Sequence, residues 1–188
     1  MKKLTTFLFL GMVMLATAQN EYEPSETNPY GSKNPEAPEQ LDDFKPFIGE
    51  CNCESESRNQ DGTWAKAVKM TWKFKYIMNG MAIQDETLKA DRKHSGSIRQ
   101  FQKDSLKWYV HYYTSATPTP KLSSWEGKKT DDGKIILYKP QKAPNGMDGF
   151  SRLTFYNISE KGYKWIGEWV DTSEKVAFPF WRITCIKP

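Results

Sequence analysis

Cys51 and Cys53 stand one residue apart in the stretch FIGECNCES, and the only other cysteine, Cys185, lies near the far end of the chain. Three thiolates suit zinc, although the paired C-x-x-C spacing of common zinc sites is missing. The same absence counts against a dithiol redox centre. The third chemistry is a structural disulfide from Cys51 or Cys53 to Cys185, which leaves one thiol over and requires an oxidising compartment. The expectation is a staple, with no metal.

A second group of residues places charge among aromatics: Trp125-Glu126, Arg152, Glu168-Trp169 and Trp181-Arg182. If these charges sit on an outer wall, they pair with one another in solvent. If several point inward, they must pair or meet a polar ligand, because a lone buried charge is costly. The second case describes a pocket in which Arg99, Arg152 or Arg182 orients a ligand carboxylate. Trp72, Trp108, Trp125 and Trp165 would then wrap its apolar body. Glu126 and Glu168 could serve a hydrolase or isomerase as acid and base. Phosphate-loop, dinucleotide, zinc-protease and nucleophile-elbow motifs are all absent. The two histidines, His94 in DRKHSG and His111 in WYVHYY, are read as turn and strand residues without a catalytic role.

Met1-Lys2-Lys3, the apolar run FLFLGMVMLA and Ala16-Thr17-Ala18 have the three parts of a secretory signal peptide, with cleavage expected after Ala18. The run is too short to cross a bilayer, so the mature chain has no integral membrane span and a periplasmic or secreted location is expected. Loss of Lys2 and Lys3 lowers the net charge from +4 to +2, too weak an excess to indicate nucleic-acid binding. The rest is long enough for one domain with a sizeable core.

Residues 19–38 hold four prolines and few large apolar side chains, which predicts a flexible leader before a domain spanning 39–188. Leu41, Phe44 and Phe47 recur every third residue, the spacing of a short helix or 3₁₀ turn that caps something larger. After Gly49 the period changes to two. Val68, Met70, Trp72, Phe74 and Tyr76 fall on one face of a strand that ends at the hairpin signal Asn79-Gly80. Comparable runs include Lys107 to Thr114, Lys134 to Tyr138 and Gly162 to Asp171, and the total is ten. Ten short-linked antiparallel strands hide their edges best by closing into an up-and-down barrel, with a two-sheet sandwich as the alternative. The longest connection, YKPQKAPNGMDGF, is a candidate lid or binding loop.

FKPFIGECNCES, WKFKYIMNGMAIQDE, SIRQFQKDSLKWYVHYY, SSWEG and WVDTSEKVAFPFWRITC together resemble secreted bacterial lipocalin-like proteins of the calycin barrel type. The resemblance covers Leu41 to Pro188. It implies an all-β, lipocalin-like barrel with first and last strands adjacent and an interior able to hold a small apolar molecule. Calycins usually carry Trp two residues after the opening glycine, where Gly49-Glu50-Cys51 has cysteine. Cys51 therefore takes the place of a core aromatic as a buried free thiol, and the bridge expected is Cys53 to Cys185. The haem-binding relatives called nitrobindins use a proximal histidine, but neither His94 nor His111 matches it, so no cofactor is expected.

The expectation drawn from all of this is an exported barrel that binds a small apolar or amphipathic molecule without catalysis. Its candidate binding residues are Trp72, Arg99, Trp108, Trp125, Glu126, Arg152, Trp165, Glu168 and Arg182. An enzyme using interior carboxylates and a packed interaction module are the alternatives.

Overall fold

A computed structural model describes residues 20–188. The signal-peptide expectation for residues 1–18 lies outside them. Ten antiparallel strands follow one 3₁₀ helix, Glu39–Phe47. They are β1 Gly49–Ser57, β2 Val68–Ile77, β3 Ala82–Lys89, β4 Ser95–Gln102, β5 Lys107–Thr114, β6 Ser123–Lys129, β7 Ile135–Pro140, β8 Gly149–Ser159, β9 Gly162–Asp171 and β10 Ala177–Ile186. Each strand pairs with its neighbours in sequence, and β10 returns to β1 to close the barrel. Among the described residues, no strand edge of the barrel is left open to another chain.

Closure follows from the alternation of side chains. In β1, Cys51, Cys53 and Ser55 are buried, while Asn52, Glu54 and Ser57 are exposed. In β10, Ile183 and Cys185 are buried, while Thr184 and Ile186 are exposed. Cys53 and Cys185 stand directly opposite each other in the β1–β10 register and form a disulfide. Cys51 is a buried free thiol. With two of the three sulfurs bonded to each other, a three-thiolate zinc set is not available.

The 3₁₀ helix plugs one end. Leu41, Phe44 and Phe47 are fully buried. Phe44 meets Trp108 edge-on at 4.8 Å between ring centroids, and Phe47 meets Tyr163 at 4.6 Å. With Phe74 and Phe155, these rings fill the plugged half of the barrel. At the other end the β1–β2, β3–β4, β5–β6, β7–β8 and β9–β10 connections form a mouth. The long connection of residues 141–148 is among them.

Residues 20–38 lie against the β2–β3 hairpin, held by hydrogen bonds to its backbone and to the Asn79 side chain. Tyr22 N–H donates to Asn79 Oδ1 at 3.0 Å, Asn34 N–H to Gly80 O at 3.2 Å, and Tyr76 N–H to Tyr30 O at 2.9 Å. The attachment rests on hydrogen bonds more than on apolar burial. Gly80 has φ of 78°, and a side chain there would sit 2.4 Å from Ser32 O, so only glycine permits both the turn and the close passage of the segment.

The bridge closes a loop of 132 residues. The chain-entropy model gives such a link a worth of about 5 kcal/mol. Reductant, or Cys53→Ala, is expected to lower Tm by on the order of 10 °C in a thermal melt. Cys51→Ala should leave the reductant-dependent shift intact. If Cys51→Ala abolishes that shift, the pairing is wrong.

Candidate functional site

Between the aromatic plug and the mouth, the barrel encloses a cavity of about 350 Å³. Its walls are mostly aromatic. Trp72 comes from β2, Trp125 from β6, Phe155 from β8, Trp165 from β9, and Phe180 and Trp181 from β10. Each indole hydrogen donor there that has a partner is fixed by a short polar neighbour: Trp125 Nε1–H donates to Ser151 Oγ at 3.2 Å and Trp181 Nε1–H to Ser55 Oγ at 2.8 Å. A hydroxyl stripe from β3 and β4 faces these rings, in which Thr87 and Ser95 are 2.7 Å apart and Ser97 lies deeper.

At the inner end of the cavity is an ion pair. Asp85 on β3 and Arg99 on β4 are only 2% and 3% exposed, and Arg99 Nη1 contacts Asp85 Oδ2. Trp72 Nε1–H donates to Asp85 Oδ1 at 2.7 Å. The guanidinium lies over the rings of Phe44 and Phe74 at 5.1 Å and of Phe155 at 5.7 Å. Burial pushes the Arg99 guanidinium down to about 9, which still leaves it cationic at neutral pH with Asp85 as counter-ion. Apart from their mutual contact, Arg99 Nε and Nη1 and Asp85 Oδ2 have no hydrogen-bond partner. The surrounding π-faces are the remaining stabilisation.

Below the pair, Tyr163 places its buried hydroxyl beside the Cys51 thiol with no conventional hydrogen-bond partner. A thiol is only a weak donor and acceptor. Burial raises both groups above their ordinary values, so both stay protonated at neutral pH.

Four of the nine residues expected to bind ligand line the cavity: Trp72, Arg99, Trp125 and Trp165. Trp108 is fully buried in the plugged half, where its indole donates to Asp43 Oδ2 at 3.1 Å. The other four point out of the barrel. Glu126 pairs with Lys107 at 2.6 Å, and Arg152 spans Glu168 at 2.9 Å and Glu174 at 2.6 Å. Arg182 forms a two-pronged bond with Glu56, 2.8 Å on each arm, which lowers the Glu56 carboxyl below its ordinary value. Their inward neighbours are Trp125, Ser151 and Trp181, so the alternation of each strand sends the charge outward. Glu126 and Glu168 therefore share no site and cannot act as an acid and base on one substrate. His111 faces Ser124 at 2.8 Å on the outer wall, and His94 accepts from Lys89 N–H in the β3–β4 turn.

Sequence reasoning missed Asp85, Lys139 and the hydroxyl stripe. Lys139 could have been found, since it continues the inward series Ile135, Leu137 of β7, one residue past the expected end of that strand. Its ammonium stands 4.3 Å from the centre of the Trp125 ring, and burial lowers it below the ordinary lysine value. No family model and no curated protein matches this chain.

Removing one partner of a buried ion pair strands the other charge. Asp85→Asn keeps an oxygen for Trp72 but leaves Arg99 uncompensated, and should cost about 3 to 5 kcal/mol in urea denaturation. Asp85→Asn combined with Arg99→Met should recover most of that loss. A cost below about 1 kcal/mol for the single change would show that the pair carries no electrostatic weight.

Proposed function

We propose that this chain is an exported, calycin-like barrel that binds a small, partly apolar molecule in the open half of its interior, without catalysis. The observation that carries the reading is the cavity itself, walled by tryptophans and open towards the loop end of the barrel. Its volume falls at the small end of the range typical for ligand pockets. A packed interaction module would have filled that space with side chains. The Cys53–Cys185 bridge accords with a periplasmic or extracellular location, and no helix among the described residues is long and apolar enough to cross a membrane.

The non-catalytic part of the reading rests on Asp85. It is the one carboxylate among the cavity-lining residues, and both of its oxygens are engaged by Arg99 and Trp72. A general base needs a free lone pair within reach of substrate, and a second group to return the proton.

Ser97 is buried, lines the cavity and stands opposite Asp85 in the β3–β4 register. Ser97→Phe should fill the space while leaving the strand pairing intact. Titration with the neutral fluorophore N-phenylnaphthylamine should show saturable binding to the native protein, read as quenching of the wall tryptophans by energy transfer to the dye. In Ser97→Phe the affinity should fall by about tenfold or more, since an occupied pocket leaves no apolar area to bury. Equal binding by a folded Ser97→Phe protein would place the dye outside the barrel and remove the support for this function.

A further inference from the structure

Two cations line the cavity, Arg99 and Lys139, and they differ in one respect. Arg99 touches Asp85, so the inner end of the cavity is neutral overall. Lys139 has no carboxylate within 4.0 Å among the described residues, and its side chain lies against Trp125 near the mouth. Lysines of the outer wall that lack an acid, such as Lys69, Lys128 and Lys164, are exposed to solvent, whereas Lys139 lines the cavity. Lys73, Lys107, Arg152 and Arg182 each hold an acid at 2.6 to 2.9 Å. Acids that could have balanced Lys139 from the same rim are used elsewhere: Glu174 by Arg152 and Asp148 by Lys142.

Inward lysines without a counter-ion are costly in a structural role, because the ammonium loses water and gains only a ring face in return. Supplying the missing charge from a ligand removes that cost. An anion at the inner end would meet the Asp85 carboxylate beside Arg99; an anion at the mouth meets Lys139 alone.

We propose that Lys139 is the anion-binding residue of the cavity, and that the ligand is a monoanionic amphipath whose charged group sits at the mouth while its apolar body points inward between Trp72, Trp125 and Trp165. This assignment rests on the cavity being a ligand site. It reverses the orientation expected from the sequence, in which a buried arginine holds the carboxylate. The net charge of the cavity is one positive unit, so a neutral ligand leaves Lys139 unbalanced and a dianion exceeds what it can match. Gln141 and Phe180, also at the mouth, give the charged group a polar and an apolar neighbour.

The test uses two probes that differ by a single sulfonate: N-phenylnaphthylamine, which is neutral, and anilinonaphthalene sulfonate, which is anionic. Both are titrated into the native protein and into Lys139→Met and Lys139→Arg. The anionic probe should bind native protein more tightly than the neutral one. Lys139→Met should weaken the anionic probe by about tenfold and move the neutral probe by less than about twofold. Lys139→Arg should restore the preference.

If Lys139→Met weakens both probes alike, or neither, the charge assignment is overturned while the cavity reading stands. If neither probe binds the native protein, the cavity reading falls and this inference falls with it. If the anionic probe depends instead on Arg99, lost in a folded Asp85→Asn/Arg99→Met double variant while Lys139→Met still binds it, the anion lies at the inner end and the proposed orientation is wrong.

Discussion

The contact between Asp85 and Arg99 divides the barrel interior into two halves with different physics. Beneath it, Phe44, Phe47, Phe74 and Trp108 form an aromatic core, with Phe155 at the boundary. Above it, the same strands line a cavity with serines, Thr87 and separated indoles. Neither residue of the pair can be buried alone at tolerable cost, so each fixes the position of the other, and with it the β3–β4 register. Trp72 is oriented by its bond to Asp85, and the plug is tied to the wall through Phe44 under the guanidinium. A buried pair of this kind is weak evidence for stability; it gains little over well-packed apolar residues. What it provides is a polar boundary at a fixed depth, beyond which the core does not extend.

Barrel closure acts on this boundary from the opposite side of the sheet. The alternation in β1 turns Cys51, Cys53 and Ser55 inward, and pairing with β10 sets Cys53 against Cys185. Ser55, on the same face, holds Trp181 as part of the cavity wall. One register thus serves the staple near the plugged end and the wall near the mouth. A slip of one residue would turn all three β1 side chains to solvent.

The strands were legible from the sequence because their period of two is carried by large side chains. The expected bounds of Lys107–Thr114 and Gly162–Asp171 match the structure, and the spacing of Leu41, Phe44 and Phe47 gave the plug. The direction of the charged residues was much harder to read. In β8 the outward face carries Phe150 and Tyr156 beside Arg152, and in β9 the half-buried Ile166 stands beside Glu168. With apolar side chains on both faces, no alternation distinguishes inside from outside. β3 presents the reverse difficulty. Its inward series is Ile83, Asp85, Thr87, and a polar inner face looks like a solvent face until the barrel around it is known. Such departures from simple patterning mark places where an interior is shaped for something other than packing.

The attachment of residues 20–38 to the β2–β3 hairpin gives the molecule a polarity along its axis. That hairpin turns at the plugged end, so Asn20 stands on the side of the domain opposite the mouth. A fusion partner, an affinity tag or an immobilising linker joined there would hold the barrel base-down with its entrance facing bulk solution. The same attachment at Pro188, which follows β10 out of the plugged end, would orient it the same way. Both ends of the described residues thus serve as handles that leave the route into the barrel unobstructed.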